Sequence, residues 1–120
     1  MLSVRNLINT TDLTADDITQ ILDTARSMEE INHRTIKKVP ALRGRTIVNL
    51  FLEASTRTRS SFEIAEKRLS ADSLNVQGSS SSVSKGECLE DTIKTLDSYG
   101  VDMFVCRARN AGTAELITHY

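Results

Sequence analysis

Ser55, Thr56, Arg57, Thr58 and Arg59 place three hydroxyls and two guanidiniums in five consecutive positions. The chemistry that this combination suits is the binding of an anion with several oxygens. A guanidinium is a planar fork of donors that matches phosphate geometry, and hydroxyls add short donors between the forks. The run follows an apolar stretch, Thr46 to Leu52, and precedes a helix-like pattern from Ser61 to Leu69. It therefore sits in the turn between a strand and a helix. A helix start contributes unpaired backbone N–H groups and a partial positive charge, so strand, turn and helix together make a phosphate cradle. The plainer alternative is a capped helix with two solvated arginines.

Two other cations stand out. Arg107 directly follows the apolar Phe104-Val105-Cys106, so its stem begins at a strand end. Lys85 lies in a serine-rich loop, with Gly86 after it, where a lone lysine is usually solvated. Ser82-Val83-Ser84-Lys85 matches the S-x-x-K pattern of some serine acyl enzymes, but a serine run produces that match by chance. There is no G-x-G-x-x-G and no G-x-x-x-x-G-K-[ST], which removes the main support for two nucleotide-binding folds. His33 and His119 have no partner at a recognisable spacing and read as surface residues. Cys88 and Cys106 are isolated thiols, suited neither to a zinc site nor to a disulfide framework, and read as reduced cysteines.

The elements that must position these residues can be read from periodicity. Thr14 caps a helix with acids in its first turn, and Ile18, Ile21, Leu22, Ala25 and Met28 recur at helical spacing to about Glu30. One face of that helix is expected to pack on a core. Asn32 to Lys38 reads as a loop, and Pro40 leads into a turn at Leu42 to Arg45. Thr46 to Leu52 is nearly all apolar, as a strand covered on both faces should be. The next helix is expected to bury Phe62, Ala65 and Leu69 and to expose a Glu63–Lys67 pair. A second strand is predicted over Asp72 to Gln77, a loop over Gly78 to Gly86, and a helix over Cys88 to Tyr99 with Leu89, Ile93 and Leu96 inward. Gly100 closes that helix, Val101 to Cys106 forms a third strand, and a fourth helix starts at Gly112. Strands alternating with helices predict an α/β domain in three layers, a parallel sheet flanked by helices. In such sheets ligands bind beyond the carboxyl ends of the strands. The Ser55 cluster, the Ser79–Lys85 loop and Arg107 all follow strands in this way.

With 120 residues and a net charge of −1, the chain fits one soluble domain and has no bulk field to draw nucleic acid or an anionic membrane. Anion binding must come from local placement. No apolar run is long enough to span a bilayer, and Met1 to Arg5 lacks a secretory h-region, so a cytoplasmic location is expected and the Asn9-Thr10-Thr11 sequon carries no meaning.

Phe51-Leu52-Glu53-Ala54-Ser55-Thr56-Arg57-Thr58-Arg59-Ser60-Ser61-Phe62-Glu63 resembles the phosphate-binding signature of the carbamoyltransferases. Ser79 to Glu87, with its Lys85-Gly86-Glu87, resembles the swinging loop of the aspartate-using branch of that family. Asp91-Thr92 and Asp102 to Arg107 fit the family spacing, and the similarity runs from about Leu13 to Arg107. The resemblance implies that Ser55, Thr56, Arg57 and Thr58 hold the phosphate of carbamoyl phosphate. It implies that Thr58 and Arg107 also reach the carbonyl oxygen and serve catalysis. Ser81 and Lys85 would enter the active site of a neighbouring subunit, which makes the site shared and the assembly a homotrimer. A regulatory chain or a pathway-enzyme partner is possible within the family; nucleic acid and membrane are not expected partners.

The implied reaction is transfer of the carbamoyl group to the amino group of L-aspartate, giving N-carbamoyl-L-aspartate and phosphate in pyrimidine biosynthesis, with no cofactor and no metal. Another carbamoyltransferase, using ornithine, and an inactive relative kept for assembly are the alternatives. Two departures bear on this. Ala108-Arg109 stand where the family usually has His-Pro, and the chain ends at Tyr120, before the family's His-Pro-Thr-Gln element and its aspartate-binding domain. Residues 1–120 are thus expected to be a carbamoyl-phosphate-binding domain, incomplete at its C-terminus and inactive alone.

Overall fold

The computed structural model describes residues 1–77, 89–108 and 112–120. The chain divides into two compact units, Met1–Lys37 and Lys38–Tyr120.

The first unit is built around helix α1, Ala15–Glu29. Thr14 accepts from the Asp17 N–H, and the Asp17 carboxylate accepts from the Thr14 N–H, a reciprocal capping box. The same carboxylate accepts from the Ser3 N–H at 2.8 Å and from the Ser3 hydroxyl. Asp17 is the buried residue of this helix, whereas Ile18, Leu22 and Met28 are exposed. The expected apolar face therefore does not pack on a core within this unit. A short 3-10 turn, Glu30–His33, follows and buries Ile31.

The second unit holds a three-stranded parallel sheet in the order β2-β1-β3, with β1 Thr46–Phe51, β2 Asp72–Gln77 and β3 Met103–Arg107. β1 is central, and Ile47 to Phe51 are all buried, as expected for a strand covered on both faces. Residues on one strand alternate between faces. Val48 and Leu50 meet Ile93 and Leu96 of helix α3, Leu89–Asp97, in the apolar core. Phe104, Cys106 and Ile117 pack around that core, Ile117 coming from helix α4, Thr113–His119. Burial pushes the Cys106 thiol up, the environment of an inert packing residue.

Helix α2, Thr56–Arg68, lies against β1 and β2. It does not bury the residues that periodicity suggested. Phe62 and Ala65 are exposed and Leu69 is half-buried, while Glu66 is buried. The reason lies across the sheet. β1 turns Asn49 to this helix, and the Asn49 amide donates to Glu66 Oε1 at 2.8 Å. α2 ends in a Schellman arrangement: the Ala71 N–H reaches the Glu66 carbonyl at 2.9 Å and the Ser70 N–H the Lys67 carbonyl at 3.1 Å. Ser70 takes the left-handed conformation, φ 69°, that glycine usually fills there, and its hydroxyl donates to the Val39 carbonyl at 2.8 Å. Gly100, φ 77°, ends the turn after α3, as its position predicts.

Candidate functional site

The site is assembled at the carboxyl ends of β1 and β3. β1 is buried up to Phe51, and the next residues leave the sheet through Glu53 and Ala54 into Ser55. Ser55 is the N-cap of α2, yet its side chain makes no capping bond. Its hydroxyl is therefore not spent on the helix. The backbone N–H groups of Thr56, Arg57 and Thr58 belong to the first turn, which has no intrahelical acceptor for them. Arg59 is the first to bond back, its N–H reaching the Ser55 carbonyl at 3.0 Å.

The first turn of α2 also carries no acidic residue. The other α-helices do: Asp16 and Asp17 in α1, Glu90 and Asp91 in α3, Glu115 in α4. Carboxylates there answer the positive end of the helix dipole. At α2 no side-chain charge answers it, and Arg57 and Arg59 add to it. Arg57 is exposed and makes no ion pair among the described residues. Arg59 acts on Glu63, whose carboxyl is held below its ordinary value first by the Lys67 hydrogen bond, then by the Lys67 charge, with a smaller contribution from Arg59.

Arg107 closes the site from β3. It stands beside Phe51 in the parallel register, and its carbonyl accepts from the Leu52 N–H at 2.8 Å. Its Nε donates to Glu53 Oε1 at 2.8 Å and its Nη1 donates to Thr58 Oγ1 at 2.9 Å. One guanidinium thus ties the end of β3 to the loop after β1 and to the first turn of α2. The Glu53–Arg107 pair is partly exposed, so its contribution to stability is small. Its effect is orientation: with Nε on Glu53 and Nη1 on Thr58, the guanidinium plane is fixed beside the first turn of α2. Thr58 accepts from Arg107, which leaves its own hydroxyl proton to donate elsewhere. The arrangement can hold a tetrahedral anion on the helix start while an adjacent guanidinium polarises a neighbouring oxygen.

The structure brings together Ser55, Thr56, Arg57, Thr58 and Arg107, the residues singled out from the sequence. Ser81 and Lys85 lie outside the described residues, as do Cys88 and Arg109; Ala108 is half-buried. Glu53 was not assigned a role from the sequence, although it sits inside the signature. The available signal was a lone carboxylate four residues before the first of two arginines.

Residues 5–120 match the family model described as the aspartate/ornithine carbamoyltransferase, carbamoyl-P binding domain. The chain belongs to this carbamoyltransferase family. It is 56% identical over 111 residues to the aspartate carbamoyltransferase catalytic subunit of Micrococcus luteus, covering 92% of this chain and 34% of the relative. It is 59% identical over 108 residues to that of Streptomyces coelicolor, covering 90% of this chain and 33% of the relative. Among solved structures, the catalytic subunit of M. jannaschii aspartate transcarbamoylase superposes with a TM-score of 0.87 at 41% identity, over 98% of this chain and 39% of that one. The Trypanosoma cruzi aspartate transcarbamoylase, solved in complex with carbamoyl phosphate and aspartate, gives 0.81 at 34% identity, over 93% and 34%. The chain spans about a third of the length of the curated relatives it matches. No helix among its described residues is long and apolar enough to cross a membrane.

Proposed function

We propose that this chain supplies the carbamoyl-phosphate site of an aspartate carbamoyltransferase. The observation that carries the reading is the first turn of α2: Ser55 to Thr58, without a carboxylate, with Arg107 seated on Thr58 at 2.9 Å. Membership of the family and its aspartate-using relatives support it.

In this reading the phosphate of carbamoyl phosphate rests on the N–H groups of Thr56, Arg57 and Thr58, with the Ser55 hydroxyl and the Arg57 guanidinium on its oxygens. The carbamoyl carbonyl oxygen faces Thr58 and Arg107. The neutral α-amino group of aspartate attacks the carbonyl carbon, and negative charge grows on that oxygen. Fixed donors stabilise it, because they need no reorganisation as the charge develops. The C–O bond to phosphate then breaks with its electron pair going to the phosphate oxygen, and the proton of the attacking amine passes to a phosphate oxygen, so that phosphate leaves as the dianion. The cations of the cradle stabilise the departing dianion. The site acts by positioning and electrostatics, without a covalent intermediate. The residues that hold aspartate come from the longer protein, and Ser81 and Lys85 come from the neighbouring subunit of a homotrimer, as the family resemblance implies.

The test is a product assay on the full chain with carbamoyl phosphate and either L-aspartate or L-ornithine. Carbamoyl-aspartate alone is the expected result. Product from ornithine alone would keep the cradle and move the chain to the other branch. No product from either would favour an inactive relative.

A further inference from the structure

Of the 13 residues of α2, Glu66 is the buried one. The bulky apolar residues Phe62 and Ile64 are 43% and 46% exposed. Ordinary apolar packing therefore does little to fix this helix on the sheet. Glu66 fixes it instead. Its Oε1 accepts from Asn49 Nδ2 of β1 at 2.8 Å and from Ser73 Oγ of β2 at 2.7 Å. The Asn49 amide also donates to Asn75 Oδ1 of β2 at 3.0 Å. Side chains of the helix and of two strands thus meet in one cluster, with Glu66 and Asn49 buried, Ser73 half-buried and Asn75 at its exposed edge. Glu66 Oε2 and Asn49 Oδ1 are buried in it without a donor. An apolar residue would fill the same space without burying the unpaired Oε2, so a carboxylate here is a costly way merely to complete a core. What it adds over an apolar residue is direction: hydrogen bonds weaken steeply with distance and angle, whereas apolar contacts tolerate sliding.

That direction matters at the other end of the helix. Thr58 lies eight positions before Glu66, about 12 Å along the axis at the rise of an α-helix. A tilt of about 10° about Glu66 would carry Thr58 by roughly 2 Å over that lever, enough to break its 2.9 Å bond with Arg107. A misplacement of about 1 Å can cost a hundredfold in rate.

We propose that Glu66 is a positioning residue for the phosphate cradle: its clamp on Asn49 and Ser73 sets the pitch of α2 and so holds Arg57 and Thr58 in register with Arg107. It touches no substrate. The role rests on the carbamoyl-phosphate reading above.

The experiment uses the full chain with inorganic phosphate as the probe in calorimetry, together with the KM values for carbamoyl phosphate and aspartate. Glu66→Leu fills the space and leaves the Asn49 amide bonded to Asn75, but it removes the clamp. It is expected to weaken phosphate binding and raise the carbamoyl-phosphate KM about tenfold, with the aspartate KM within about twofold of the parent. Glu66→Gln keeps an oxygen for Asn49 and Ser73 and should restore both values to within about twofold. Leu96→Ala, on the buried face of α3, serves as the control: it should lower the melting temperature and leave phosphate affinity alone. Parental phosphate affinity in Glu66→Leu overturns the proposal, as does an equal loss in Leu96→Ala. If Glu66→Leu does not fold, Ser73→Ala removes one strut and should weaken phosphate about two- to threefold; parental affinity there also overturns it. A parent chain that binds phosphate but carbamoylates neither amino acid would refute the transferase reading while the phosphate measurements still judge the clamp. A parent that binds no phosphate overturns the clamp's role with the cradle itself.

Discussion

Helices α2 and α3 lie in the same unit and are held in opposite ways. α3 buries Ile93 and Leu96 against Val48 and Leu50, and its first turn carries Glu90 and Asp91 to complete its own electrostatics. α2 buries a carboxylate, leaves Phe62 and Ile64 exposed, and leaves its first turn without an acid. α3 is a self-sufficient structural helix. α2 is pinned by directional bonds at its C-terminal half and keeps its N-terminal charge for something else. Helix α1 of the first unit resembles α2 in one respect, since its buried residue is the carboxylate of Asp17.

The largest effect that tests this division is on activity. Arg57→Ala in the full chain is expected to lower kcat/KM for carbamoyl phosphate by about a hundred- to a thousandfold, with the melting temperature nearly unchanged, because Arg57 is exposed and makes no ion pair among the described residues. Steady-state kinetics beside a thermal melt measures both. Near-normal turnover would mean that the start of α2 is not a cradle. The counterpart on the structural helix is Ile93→Ala. Ile93 is 3% exposed, and truncation should cost about 2–5 kcal/mol in denaturant unfolding while leaving the carbamoyl-phosphate KM of the folded enzyme unchanged. A rise in KM would show that α3 also shapes the site.

The sequence made these two helices unequally legible. The α/β alternation, the bounds of β2, the N-cap at Thr14 and the inward residues of α3 follow from local spacing, and the structure agrees. Ser55 to Thr58 and Arg107 were legible as chemistry because several cations and hydroxyls fall at strand ends, and the fold brings Thr58 and Arg107 into contact. The burial of Glu66 was not legible. Periodicity counts apolar side chains, and Phe62 and Ala65 satisfied the count. What decides the buried face is the polar surface that Asn49, Ser73 and Asn75 present from elsewhere in the chain. Glu53 was missed for the same reason, since its partner Arg107 is 54 positions away. In α1 the apolar stripe was read correctly as periodic, but Ile18, Leu22 and Met28 are exposed.

Acid tests whether the carboxylate of α1 stabilises as a clamp should. Asp17 is held down to about 2, from an ordinary value of 3.8, mainly by the Ser3 hydroxyl and then by the Ser3 and Thr14 N–H groups. Its folded-state value lies below the unfolded one. The stability it contributes is therefore fully present above about pH 4 and is lost as the pH falls toward 2. Hydrogen exchange of the α1 amides followed from about pH 5 to about pH 2 should show protection falling across that window. Asp17→Asn should lower protection at pH 5 and flatten the decline. A wild-type profile without a decline would remove Asp17 as the fastening of its helix.

The smallest expected effect sharpens the account of α2 itself. Lys67 Nζ lies 3.0 Å from Glu63 Oε1, with the Glu N-terminal to the Lys, the favourable order for this spacing. The pair is on the surface, where solvent and salt screen it. Lys67→Ala should cost only about 0.3–0.5 kcal/mol, less at high ionic strength, and should not move phosphate affinity. If the clamp at Glu66 alone sets the pitch of α2, removing a bond one residue away on the exposed side leaves Thr58 in place. A loss well above about 1 kcal/mol, or a weakened phosphate site, would show that the outer face of α2 shares in holding the helix, and the contrast with α3 would then rest on the number of polar bonds rather than on one buried carboxylate.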